Sequence, residues 1–170
     1  MGWAEQWPAE LSSGKRLYAD GRYSESAQTL KSALAKAESE GAPQQQILSI
    51  LLPLTTSQRA SNDAAGAAET LQWALSISPK EPDCAPILED LAIVLRSLQR
   101  KTEAANALRQ AASARLSQGI SEEAARDMTF LGVLHRESGE MEPAKQALTQ
   151  AILLLERIAV KRSANPHSNR

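Results

Sequence analysis

The stretch MTFLGVLHRESGEMEPAKQALTQA, running from Met128 to Ala151, decides how this chain folds. Met128, Leu131-Gly132, His135, Gly139, Met141, Ala144, Leu148 and Ala151 follow one another at spacings of 3, 1, 3, 4, 2, 3, 4 and 3. Spacings of three and four put side chains on one face of a helix. The interruption at Ser138-Gly139 falls where a helix would end and the chain reverse. The stretch therefore reads as two short helices folded back on each other.

This pattern resembles the tetratricopeptide repeat (TPR), whose signature runs bulky, Leu-Gly, Tyr, then Ala, Phe, Ala. The resemblance implies that Gly and Ala stand where two helices cross closely, with bulky residues filling the gaps beside them. His135 stands where the family prefers Tyr, and Glu156 where the repeat often closes with Pro. Earlier segments repeat the pattern. Leu30, Leu71, Leu108 and Leu148 occupy one slot, separated by 41, 37 and 40 residues, and Ala33, Ala74, Ala111 and Ala151 occupy the slot three later. The family's usual period is about 34, so each unit here is several residues longer. The resemblance implies an all-α, right-handed superhelical solenoid of four helical hairpins, a TPR-like domain over residues 1–160. Its units are expected at about 8–40, 43–79, 83–119 and 121–160, followed by a disordered polar tail, 161–170. A lone hairpin cannot bury its apolar stripe, so stacking must supply the core.

Local signals mark the junctions. Pro8 suits the first turn of a helix reaching Ala19, and Asp20-Gly21 ends it. Gly41-Ala42-Pro43 closes the second helix, Ser61-Asn62-Asp63 marks the next turn, and Asp83 and Ser121 are candidate caps. Thr55 takes the slot that holds Gly132 in the last unit.

Composition agrees. Apolar residues make up 42% of 170 residues but aromatics only 4%, so the core must be built from Ala, Leu and Ile, which suit helices. A net charge of -1 gives no reason to expect nucleic acid, which weakens an RNA-binding helical repeat. No apolar run approaches the length of about 18 residues that a membrane span needs. The single Cys84 excludes an intramolecular disulfide and fits a reducing, intracellular and cytoplasmic setting. An organelle transit peptide, once removed, would leave no trace.

Chemistry is not legible. His135 takes a helix-packing slot, His167 lies in the tail, and Cys84 has no neighbours at metal-ligand spacing. No phosphate loop or nucleophile elbow appears. We expect no enzyme activity, catalytic residue, metal or cofactor.

Binding is the expected function. The family's concave-facing positions map onto Lys15 and Tyr18, then Leu52, Thr56 and Arg59, then Glu89, Ile93 and Arg96, and finally Arg126, Thr129, Val133 and Arg136. Arg59, Arg96 and Arg136 share one slot, so the resemblance implies a partly basic groove. Guanidinium groups in register suit a protein segment bearing Asp, Glu or phosphate, or a helix, unless Glu89 and Glu137 neutralise them. Chaperone-tail binding is not expected, because Leu11, Lys15 and Thr56 lack the required Asn.

The ends supply the alternative, a structural subunit or assembly factor of a larger complex. Trp3 and Trp7, four residues apart, would share a helix face over the first hairpin. In the last helix Leu148, Ala151, Ile152 and Leu155 are expected to face their own partner helix. Leu154 and Ile158 would then be left outward as an interface for a homo- or hetero-oligomer.

Overall fold

The computed structural model describes residues 7–78, 84–119 and 121–164. Among them are eight helices and no strand: α1 (Trp7–Ala19), α2 (Tyr23–Ser39), α3 (Gln44–Ala60), α4 (Ala64–Ile77), α5 (Ala85–Ser97), α6 (Lys101–Ser117), α7 (Glu122–Glu137) and α8 (Met141–Ala164). They form two compact units divided after Pro79. In the first, α1 packs on α2, α2 on α3 and α3 on α4; in the second, α5 to α8 repeat the scheme. Each unit is thus two stacked hairpins with neighbour-to-neighbour packing.

The hairpin turns carry the repeat most clearly. Gly21, Asn62, Gln99 and Gly139 all have positive φ, between 60° and 77°. The amide of the following residue then bonds to the carbonyl five residues back: Arg22 to Leu17 at 2.9 Å, Asp63 to Gln58 at 2.8 Å, Arg100 to Leu95 at 2.8 Å and Glu140 to His135 at 2.9 Å. This is the helix-ending bond of a Schellman turn, which satisfies otherwise orphaned carbonyls. These four residues are separated by the same 41, 37 and 40 positions as the leucine slot. Helix starts are capped where the sequence suggests. Asp63 accepts from the Gly66 amide at 3.0 Å, and Ser121 from the Ala124 amide at 3.1 Å. Cys84 precedes α5 as its cap residue, while Asp83 lies outside the described residues.

The cores follow the slots. Leu30, Ala33, Ile50, Leu51, Leu71 and Ala74 are fully buried in the first unit, and Ala92, Ala104, Leu108, Ala111 and Ala124 in the second. Trp7 is buried at the start of α1; Trp3 lies outside the described residues. Helix α8 continues through Ala164, where the tail was expected from residue 161. Lys161, Arg162 and Ala164 are good helix formers, and no breaker precedes Pro166.

One face is corrected. The buried residues of α8 are Ala144, Ala147, Ala151 and Leu154, with Ile158 half-buried; Ile152 and Leu155 are exposed. Leu154 is therefore not an outward interface residue. It packs with Ala124 and Ala125 of α7, beside Leu116 and Met128. Small residues on both helices let the backbones approach, which draws the alanine stripe inward and leaves the bulkier Ile152 and Leu155 on the flank. Ala151, buried, and Leu148, against Gly132, keep their expected places.

Candidate functional site

In the first unit, Lys15 and Tyr18 from α1 and Pro53, Thr56 and Ser57 from α3 line one hollow of about 150 Å³, floored by Leu30. Beneath it a buried network holds the helices. The Ser26 hydroxyl donates to the Gly14 carbonyl at 2.7 Å and lies 2.8 Å from the Ser57 hydroxyl. The Tyr18 ring lies 5.2 Å from that of Tyr23, tilted by 54°, so it is braced rather than loose. Arg59 is exposed on the last turn of α3 and already has an interaction partner.

In the second unit, Arg96 on α5 does not stand as a bare cation. Its Nε donates to Glu137 Oε2 at 2.9 Å and its Nη2 to the other carboxylate oxygen, a two-point grip across to α7. Its guanidinium carbon also lies 5.7 Å from the centre of the Phe130 ring. Arg96 holds the Glu137 carboxyl below the usual carboxylate range. Arg126 reaches Glu123 at 3.3 Å, and Arg136 is exposed beside Glu137. Arg96 is thus neutralised by Glu137, the glutamate the sequence offered for that role.

Glu89 takes a different partner, which sequence reasoning missed. Arg115 of α6 donates to Glu89 at 2.7 Å, to the Asp127 carboxylate at 2.5 Å and to the Glu123 carbonyl at 3.4 Å. Asp127 is almost fully buried, and its second oxygen has no partner among the described residues. Burial pushes its carboxyl up to about 6, against the pull of Arg115. His135 is buried between Arg109, whose Nη2 donates to Nε2 at 3.2 Å, and Glu140, which meets Nδ1. Both clusters tie α6 to its neighbours. Neither could be found from spacing, because each links residues far apart in the chain. Among the described residues no group of three His, Cys, Asp or Glu could hold a metal ion.

A second hollow, about 340 Å³ and mostly apolar, lies among Leu116, Met128, Gln150, Leu153, Leu154 and Arg157. Large exposed apolar side chains fall into two groups among the described residues. Tyr18, Tyr23, Leu52 and Ile93 lie on or beside the first helices of the hairpins, and Met141, Leu148, Ile152, Leu153, Leu155 and Val160 on α8.

No family model and no curated protein matches the sequence. Solved structures do. The nearly identical TPR-like repeats designated a kinesin light chain from Podosopora anserina match all of this chain and 79% of theirs, at a TM-score of 0.73 and 16% identity. The fold is TPR-like. MamA matches 91% of this chain and 81% of its own, at 0.70 and 16%. BtubC from P. vanneervenii matches 85% of this chain at 0.70 and 20%, and the chain spans only 60% of BtubC. At such identities the likeness is one of fold. No helix among the described residues is long and apolar enough to cross a membrane.

Proposed function

We propose that this protein is a non-enzymatic adaptor whose hairpins present their first-helix faces to a partner segment. The observation that supports this is the placing of its exposed apolar residues. Tyr18, Leu52 and Ile93 are all more than a third exposed, at positions where the TPR resemblance puts partner contacts, and Lys15, Arg59, Arg96, Arg126 and Arg136 accompany them. Apolar anchors beside cations suit a segment, extended or helical, that combines an apolar residue with Asp, Glu or phosphate. The reading places the protein inside the cell, where Cys84 stays a free thiol.

A second reading, a structural subunit held through its last helix, is favoured by the apolar group on α8. One experiment separates the two. Partners captured from lysate and identified by mass spectrometry are compared for wild type, Arg59→Glu/Arg96→Glu/Arg136→Glu, and Ile152→Glu, after circular dichroism confirms folding. A partner lost only with the arginine variant supports the groove. A partner lost only with Ile152→Glu refutes it and transfers the role to α8.

A further inference from the structure

The apolar flank of α8 sits in slots that α2 and α6 bury against the helix that follows them. Counting from the shared leucine, Ile152 corresponds to Leu34 of α2 and Ala112 of α6, and Leu155 to Ala37 of α2. Leu34 is 7% exposed, and Ala112 and Ala37 are 0% exposed, because the next hairpin packs on them; Ile152 is 56% exposed and Leu155 47%. Leu148, Ile152 and Leu155, with Met141 at the near end and Ala159 at the far end, recur at spacings of three, four and seven, so they form one continuous stripe. Among the described residues no helix covers Ile152 or Leu155, and Leu148, which leans on Gly132 of α7, is still 36% exposed.

The charges bordering this stripe indicate what does. Lys145 and Glu156 are both exposed and lie eleven residues apart, close to three helical turns, so they border the same edge of the stripe. A two-fold axis passing midway between them sets Lys145 of one copy against Glu156 of the other, twice per interface. The same axis brings Leu148 opposite Ile152 of the second copy, Leu155 against the stem of its Lys145, and Met141 against its Ala159. The stripe is thus complementary to itself, apolar to apolar and cation to anion, in one antiparallel register. A parallel pairing, with its two-fold along the helices, would set this charged edge against the opposite edge of the stripe and leave both pairs unmade. Arg162, on the other side of α8, is already engaged with Glu122 of α7 at 2.8 Å.

We propose that two copies of this chain associate through α8, antiparallel, burying Leu148, Ile152 and Leu155 between paired Lys145 and Glu156. The proposal is independent of the groove reading and names the partner for the α8 face.

Sedimentation equilibrium of the purified full chain tests it. Wild type is expected at twice the chain mass of 18.4 kDa, and Ile152→Glu at the mass of one chain with unchanged circular dichroism. Lys145→Glu is expected to raise the dissociation constant by about tenfold or more, since it turns attraction into repulsion at two symmetric sites. Lys145→Glu/Glu156→Lys is expected to restore the wild-type value. Arg59→Glu/Arg96→Glu/Arg136→Glu should leave the mass unchanged, which separates this interface from the groove. Wild type at the mass of one chain up to millimolar concentration would overturn the proposal. So would a charge swap that is folded but does not recover association.

Discussion

The sharpest test of the packing concerns two glycines that share a repeat slot but not a neighbourhood. An alanine Cβ at Gly14 would lie 2.6 Å from Cγ and 2.7 Å from Cδ2 of Leu30; at Gly132 it would lie 2.6 Å and 2.8 Å from the same atoms of Leu148. On contact distance alone the two substitutions look alike. Leu30, however, is 0% exposed and has nowhere to go, whereas Leu148 is 36% exposed and can swing toward solvent. In either helix, alanine in place of glycine gains about 1 kcal/mol of helix propensity. Overpacking a closed core costs about 1–3 kcal/mol. Gly14→Ala should therefore lose up to about 2 kcal/mol net, toward the upper end because Leu30 cannot move, while Gly132→Ala, left only with the Ala144 carbonyl at 3.2 Å, should stay within about 1 kcal/mol of wild type. Urea midpoints followed by far-ultraviolet circular dichroism read both. A Leu30→Ala background supplies the control, in which Gly14→Ala should cost less, because the two side chains no longer collide. The reasoning is refuted if Gly14→Ala is no less stable than wild type, or if Gly132→Ala is the more damaging of the two.

Other outcomes follow from the polar contacts. The folded Asp127 carboxyl titrates near 6, above its ordinary 3.8, so the native state holds the proton more tightly than the unfolded chain. That contribution is full below about pH 4 and is lost as pH rises through 6, up to about 3 kcal/mol in all. Asp127→Asn should flatten this decline in urea midpoints measured from pH 4.5 to 7. Removing the side-chain caps, by Asp63→Ala or Ser121→Ala, should each cost about 1 kcal/mol by the same assay, since each leaves a helix amide unpartnered. Glu137→Gln breaks an exposed ion pair and should change stability by less than about 1 kcal/mol. It also frees Arg96, so on the groove reading it should strengthen binding of an acidic or phosphorylated partner, followed by fluorescence anisotropy once that partner is in hand. Unchanged or weaker binding would count against the role of Arg96.

Much of this molecule was legible before any coordinates. Turns are local events, so Gly21 and Gly139 mark them by conformational freedom, while Asp63 and Ser121 cap helices through bonds to amides three residues on. The leucine and alanine slots could be read because a helix buries what recurs at three and four. Of the candidate site, residue types and helix positions could be read: Tyr18 and Ile93 are exposed, and Lys15 and Tyr18 meet Thr56 around one hollow. Pairings between helices could not. Arg115 holding Glu89 and Asp127, and Arg96 holding Glu137, join residues from 12 to 41 positions apart, and no periodicity encodes such contacts. The face of α8 is the clearest division. Its sequence is apolar on two adjoining flanks, so periodicity alone admits Leu148, Ala151, Ile152 and Leu155 inward as readily as Ala144, Ala147, Ala151 and Leu154. The sequence by itself determined that α8 is a helix and that its hairpin closes at Gly139. Only tertiary packing decided which flank it buries, because that choice depends on how closely α7, with Ala124, Ala125 and Gly132, lets another backbone approach.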